Sequence, residues 1–271
     1  MIKNKSAFPI LDKFFLEQRI EESSIIIKQA IQQTDKPLVI QFSGGRDSMV
    51  MLKLVQEVTD NFVCSYMQTG IDFPESVEFA KLSARNLNCD LLISTPKDHL
   101  GDFFERLASF RTFPTVRSTW CNRDLKVRPQ QKMLNRIFGK GNITKLIGVR
   151  RSESSRRMSI YKWGNFTRPD NNVGGANNVY PILHWTDADI LGFIEARKLS
   201  TSTLYKKYGV SGCYWCPFYQ PSIYKKIIRD MPELYNEFVR WEEEIGPSVG
   251  NYIYLSDIIK QVQQESYAIQ V

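Results

Sequence analysis

The sequence predicts an α/β protein: a parallel sheet with helices on both faces, Rossmann-like, followed by a mainly helical C-terminal part. Three observations carry this. Short runs of β-formers at 37–42, 62–69, 90–95 and 143–149 alternate with longer segments of helical periodicity. A glycine–serine loop, "SGGRDS", joins the first run to the helix after it. From about residue 200 to the end the chain reads as helical and aromatic. Strands alternating with helices pack as a parallel sheet covered on both sides.

The elements follow in order. "FLEQRIEESSIIIKQAIQQ" (15–33) has apolar residues at helical spacing and makes an N-terminal helix. "PLVIQF" is a buried strand and "SMVMLKLVQEV" (48–58) the helix after it. "FVCSYMQT" is the second strand, followed by a helix over about 74–88; "DLLIST" is the third, followed by "LGDFFERLASF". A helix near 124–138 precedes the fourth strand, "ITKLIGV". Residues 161–178, with "RPDNNVGGANN", form a loop or hairpin, and "WTDADILGFIEARKL" a helix capped by Thr186 or Asp187. The expected domains are an N-terminal helix (1–35), a nucleotide-binding α/β domain (36–200) and a helical part carrying a CxxC (201–271).

With 42% hydrophobic and 24% charged residues in 271, the composition is that of a globular protein with a full core. The apolar runs are too short to cross a bilayer and the start lacks a secretory signal, so a cytoplasmic protein without membrane contact is expected. Five cysteines (Cys64, Cys89, Cys121, Cys213 and Cys216), with one CxxC among them, argue for a metal or redox site over a disulfide framework. From Arg111 to Arg168 fifteen Lys or Arg face only Asp124 and Glu153, giving +13 in a chain of net charge +7. A segment this rich in Arg and poor in acids calls for an anion: nucleotide phosphates, sulfate or a nucleic-acid backbone.

In a parallel sheet, ligands bind beyond the strand C-termini, where a helix start offers unpaired N–H groups and the positive end of its dipole. Gly44 and Gly45 let the backbone approach a phosphate, and Ser43 and Ser48 add hydroxyls. Arg46 supplies charge, and Asp47 either caps the helix or helps hold hydrated Mg²⁺. Neither the Walker A nor the dinucleotide glycine pattern is present.

The strand–SGGRDS–helix unit resembles the PP-loop (adenine nucleotide α-hydrolase) superfamily. Five more stretches resemble the phosphoadenylyl-sulfate (PAPS) reductase family within it: "TGIDFPES" (69–76), "STWCNRDLKVRP" (118–129), "GVRRSESSRR" (148–157), "YPILHWTDADI" (180–190) and "SGCYWCPF" (211–218). The resemblance covers about residues 37–220 in the family's order, with Gln68 where the family has an acid. It implies that the loop grips the phosphates of ATP, PAPS or its unphosphorylated analogue APS. Thr69, Gly70 and Asp72 then line the adenosine end, with Lys126, Arg150, Arg151, Arg156 and Arg157 on phosphate or sulfate. Arg46, Asp47 and Glu153 are the candidate catalytic groups, Glu153 orienting an Arg or binding ribose or metal. Trp120, Trp185 and Trp215 read as packing.

The CxxC alone leaves a redox pair, a zinc site and an iron–sulfur cluster open. Zinc would need a fourth ligand such as His184 or His99. The resemblance favours a [4Fe–4S] cluster on Cys121, Cys213 and Cys216, with zinc as the fallback. Cys64 and Cys89 read as small buried hydrophobes. Two departures matter: Asn122 stands where the reductases have a second cysteine, and no cysteine follows Cys216, where they carry a nucleophile. The reading that follows is an ATP-dependent sulfurtransferase, related in logic to the DNA-phosphorothioation and iron–sulfur thiolation members. Its expected partners are an adenine nucleotide, a sulfur-donor protein or sulfide, a nucleic-acid acceptor and a second copy in a homodimer. A sulfonucleotide reductase with an altered nucleophile and a nucleotide-binding regulator are the alternatives.

Overall fold

A computed structural model describes residues 10–98, 100–164, 166–170, 176–250 and 253–270. Helix α1 (Ile10–Gln32) leads into strand β1 (Leu38–Phe42), helix α2 (Arg46–Gln56), β2 (Val63–Met67), α3 (Pro74–Asn86) and β3 (Asp90–Ser94). Then come α4 (Phe103–Phe110), a π-helical turn (Asn122–Val127) running into α5 (Arg128–Phe138), and β4 (Thr144–Ile147). A short 3₁₀ turn (Arg151–Glu153) and α6 (Ser155–Ile160) precede β5 (Thr167–Asp170) and β6 (Ala176–Val179). The remainder is helical: α7 (Asp187–Ala196), α8 (Thr203–Tyr208), α9 (Pro221–Asp230), α10 (Asn236–Ile245) and α11 (Leu255–Gln270).

The sheet has the order β3-β2-β1-β4-β6-β5. β1 pairs in parallel with β2 on one side and β4 on the other, with Val39 opposite both Val63 and Lys145. This central place explains the uninterrupted apolar run, since Val39, Ile40 and Phe42 are wholly buried. The chain moves outward from β1 in both directions, so the loop after β1 opens at a topological switch point, where α/β sheets bind ligands. The expected loop or hairpin over 161–178 contains the antiparallel β5–β6 pair, and β6 adds in parallel to β4. Asn165 and the segment 171–175 of that hairpin lie outside the described residues.

Thr186 is the cap of α7, accepting from the Asp189 N–H while the Asp189 carboxylate accepts from the Thr186 N–H. The two capping groups satisfy amides that the helix start would otherwise leave unpaired.

Two compact units divide the chain. The first draws on Met1–Tyr66, Ala80–Leu92 and Leu134–Thr201; the second on Met67–Phe79, Ile93–Met133 and Ser202–Val271. In the first unit Trp185 donates to Ser23 Oγ, which donates to the Pro181 carbonyl, pinning α1 beside the sheet. The second has an aromatic core in which Trp215 stacks on Phe238 at 5.5 Å and Phe103 lies 5.3 Å from Trp120. All three tryptophans read as packing are buried. The basic segment does not form one body: its first half belongs to the second unit and its second half to the first. Among the described residues no helix is long and apolar enough to cross a membrane.

Candidate functional site

In the first unit, β1 ends at Phe42 and α2 begins at Arg46, so Ser43, Gly44 and Gly45 make the whole turn. Gly44 sits at φ +71°, a conformation that L side chains resist. Gly45 is the helix cap and brings no side-chain acceptor to the first amides of α2. These amides therefore point at the crevice with the helix dipole behind them. The serines stiffen the turn. Ser48 Oγ donates to the Gly45 carbonyl at 2.9 Å and accepts from the Ser43 N–H, while Ser43 Oγ accepts from the Gly45 N–H. Ser48 is thus buried and spent on bracing the loop, whereas Ser43 is exposed.

Asp47 does not cap the helix. Its carboxylate accepts from Arg150 Nε at 3.0 Å, and the same guanidinium reaches Asp187 at 2.9 Å and Ser152 Oγ at 3.3 Å. Arg150 is a buried clasp between the phosphate loop, the turn after β4 and the start of α7, with its side chain only 6% exposed. Its planar fork suits three partners at once, which a lysine could not hold. Glu153 accepts from the Arg150 backbone N–H and pairs with Arg157. Burial lowers the pKa of Arg157 from its usual value. Arg151 goes elsewhere, lining a hollow of about 340 Å³ with Arg19, Ser152 and His184, and Arg156 is exposed. Arg46 is half-buried in the first turn of α2.

Two residues of this clasp have no site role in the sequence reading. Gly148, at the end of β4, touches the start of α2: a Cβ there would stand 3.1 Å from the Asp47 carbonyl oxygen. Asp187 supplies the clasp's second carboxylate. The glycine directly after an apolar strand was the available signal for Gly148; Asp187 reads from the sequence only as a candidate helix cap.

The second unit holds the other set. After β2 the turn Thr69–Asp72 is closed by the Asp72 carboxylate, which accepts from the Thr69 N–H, and Gly70 takes φ +85°. The turn then pairs with the CxxC stretch through an antiparallel bridge between Asp72 and Cys213, with Phe73 N–H donating to Gly212 and Tyr214 N–H to Ile71. Thr69 Oγ1 lies 3.3 Å from Cys213 Sγ, and Cys213 Sγ stands 3.9 Å from Asp72. Tyrosine hydroxyls brace the CxxC backbone: Tyr219 donates to the Cys213 carbonyl, and Tyr224 donates to the Cys216 carbonyl while accepting from its N–H.

Cys121, Cys213, Cys216, Lys126 and Asp72 all belong to the second unit. Burial, then the neighbouring Cys213 and Cys216, pushes the Cys121 thiol up to about 11. Cys213 and Asp72 raise Lys126, while burial raises Asp72 and Cys213. Beside this cluster, Gln68, Gly70, Thr95, Lys97, Phe103 and Phe104 help line a hollow of about 390 Å³.

Among the described residues no three His, Cys, Asp or Glu side chains are placed to hold a single metal ion. The zinc set is therefore not formed. His184 belongs to the first unit and packs on Phe166 at 4.8 Å, and His99 lies outside the described residues. A polynuclear cluster makes a different demand, because each thiolate binds its own iron and the ligands stand farther apart than around one ion. Cys121, Cys213 and Cys216 are free, half-buried thiols in one unit, the donor type that such a cluster takes. Cys64 and Cys89 partner each other instead, with Sγ atoms 3.3 Å apart. The Cys64 S–H draws the Cys89 pKa below its usual value while its own rises.

Residues 37–219 match the phosphoadenosine phosphosulfate reductase domain. The chain belongs to this family. The phosphate loop, the Arg150 clasp and all three cysteines of the second unit fall inside the matched residues. An uncharacterized protein of Methanocaldococcus jannaschii is 28% identical over 240 residues, 88% of this chain and 54% of that protein. The chain thus spans about half the length of the first relatives it matches. The adenosine 5'-phosphosulfate reductase of Halalkalibacterium halodurans is 25% identical, over 72% of this chain and 80% of the reductase. Two solved structures share the fold at 16% identity. The PAPS reductase of Candida auris, in a phosphate complex, superposes with TM-score 0.54 over 77% of this chain and 97% of its own. The U34-tRNA thiolase NcsA of Methanococcus maripaludis, with its [4Fe-4S] cluster, superposes with TM-score 0.53 over 92% of this chain and 80% of its own. The protein is a PP-loop member of the PAPS reductase family, and its relatives include enzymes such as that adenosine 5'-phosphosulfate reductase.

Proposed function

We propose that this protein is an ATP-dependent PP-loop sulfurtransferase, and the observation that carries it is the presence of three free thiols, Cys121, Cys213 and Cys216, in the second unit. An oxygen of the acceptor attacks the α-phosphate of ATP, pyrophosphate leaves, and a hydrosulfide-level sulfur then displaces AMP from the adenylated acceptor. Sulfur keeps its oxidation state, so the sequence needs no electron donor. The amides at the start of α2 bind the β- and γ-phosphates, brought by ATP with Mg²⁺, and stabilise the departing pyrophosphate. Arg150, neutralised by Asp47 and Asp187, holds the loop in this shape, and Arg46, Arg156 and Arg157 supply cations around it. Cys121, Cys213 and Cys216 would hold a [4Fe–4S] cluster, which supplies a site for the sulfur to be transferred. Lys126 offsets the charge of the thiolates, and the Tyr219 and Tyr224 hydroxyls fix the CxxC backbone.

The likeness to adenosine 5'-phosphosulfate reductases over 72% of the chain supports a second reading, reduction of a sulfonucleotide. One experiment separates them. Protein purified without oxygen is given ATP, Mg²⁺ and sulfide with candidate acceptors, or APS or PAPS with a thiol. AMP and pyrophosphate without sulfite are expected. Sulfite from APS or PAPS, with ATP left intact, would replace the sulfurtransferase by the reductase.

A further inference from the structure

The second unit carries a group of charges that the nucleotide and cysteine sites do not use. Asp124, in the π-helical turn that also holds Lys126, has a side chain with no exposure to solvent. Its two oxygens accept four hydrogen bonds from three guanidiniums. Oδ1 takes Arg123 Nε at 2.7 Å and Arg128 Nη1 at 3.0 Å; Oδ2 takes Arg123 Nη2 at 2.9 Å and Arg106 Nη2 at 3.0 Å. The ring of Phe110 backs two of them, with Arg106 and Arg123 at 4.5 and 5.8 Å from its centroid.

One carboxylate cannot balance three cations. The cluster keeps two positive charges, and a lone buried aspartate would have been satisfied by a single bidentate arginine. Arg123 and Arg128 are about half exposed, at 51% and 47% of their side chains. With their inner N–H groups bonded to Asp124, about half of each of these two side chains stays open to solvent. Held this way, the guanidiniums lose little further freedom on meeting an anion. Separate guanidiniums with a surplus of positive charge suit a chain of anionic groups, and a phosphodiester backbone is such a chain.

We propose that Arg106, Arg123 and Arg128, ordered by Asp124, form a docking face for the backbone of a polynucleotide. That this polynucleotide is the acceptor rests on the sulfurtransferase reading; the binding itself does not. Arg123 lies two residues after Cys121 on the same segment, so the backbone would run alongside the cysteine site.

The test uses the full chain and fluorescence anisotropy of labelled oligonucleotides (single-stranded DNA, duplex DNA and RNA) between 50 and 200 mM salt, both on the order of common working conditions. The wild type should bind at least one of them with steep salt dependence. Arg123→Gln with Arg128→Gln should weaken binding about tenfold or more. On duplex DNA it should also flatten the slope of log K against log salt by about 0.9 for each lost phosphate contact. Asp124→Asn should weaken binding less, since the arginines remain but are no longer held. If the double variant is poorly folded by circular dichroism, Arg128→Gln alone serves as the readout. Oligonucleotide affinity no better than that for inorganic phosphate, or the same affinity and slope in a folded variant, would overturn the face. Loss of oligonucleotide binding in the variant with ATP binding intact supports it, whereas a wild type that binds oligonucleotides without cleaving ATP keeps the face and removes the sulfurtransferase. Which oligonucleotide binds tells DNA from RNA.

Discussion

Gly148 offers the most direct test of how the phosphate loop is held. An added Cβ would meet the Asp47 carbonyl oxygen at 3.1 Å, its carbon at 3.2 Å and the Ser48 nitrogen at 3.4 Å. Ordinary contact begins near 3.4 Å, and all three atoms are backbone, which cannot rotate aside as a side-chain tip would. Gly148→Ala therefore forces the end of β4 and the start of α2 apart by about 0.3 Å, the shortfall against that contact distance. Overpacking of this kind costs about 1–3 kcal/mol of stability. If a 1 Å misplacement costs about a hundredfold in activity, a shift of about 0.3 Å costs on the order of fourfold in nucleotide affinity or turnover. Gly148→Val pushes γ-carbons at the same backbone and should cost about a hundredfold or more. Urea unfolding reads the first quantity and ATP calorimetry the second. A folded Gly148→Val protein that binds ATP within about twofold of wild type would show that the approach of β4 to α2 does not shape the site.

Asp47→Asn leaves the buried Arg150 with Asp187, which is 79% exposed, as its carboxylate partner. We expect a loss of about 2 kcal/mol by urea unfolding, with ATP binding impaired in the protein that remains folded. The three arginines, Arg123 first, hold the Asp124 carboxyl below its usual pKa. The unfolded chain therefore binds this proton more tightly, so the stabilisation is complete above about pH 4 and fades as the pH falls through the lower folded value. Urea midpoints of wild type and Asp124→Asn should accordingly converge as the pH drops below about 4, and a gap that widens there would contradict the assignment. Tyr224→Phe removes the hydroxyl that serves both the N–H and the carbonyl of Cys216. It should cost about 1–3 kcal/mol and reduce the iron retained per chain. Cys213→Ser should lose iron and visible absorbance in protein purified without oxygen, whereas Cys89→Ser should keep both; equal iron in the two variants would remove the cluster from the second unit.

Much of the glycine–serine turn was legible because its signals are local. A buried strand, two glycines and a helix within a dozen residues define the turn, and no distant contact is needed to specify it. The same holds for the cap at Thr186, where a side chain reaches an amide three residues away. Other roles could not be read this way. Arg150, Arg151, Arg156 and Arg157 are near-identical in sequence context, yet they become a clasp, a hollow lining, an exposed charge and a partner of Glu153. Long charged side chains take their partners from whichever segments packing delivers, and those segments lie as far as 103 residues away in the case of Asp47 and Arg150.

By itself, then, the sequence determined the α/β class and the order of the strands and helices up to β4, all properties of neighbouring residues. Only the tertiary structure decided that β6 joins β4, that the turn after β2 pairs with the CxxC stretch 141 residues on, and that one basic segment is shared between two units. Those outcomes depend on which backbone edges and apolar faces meet, and that is set by the simultaneous packing of the whole chain.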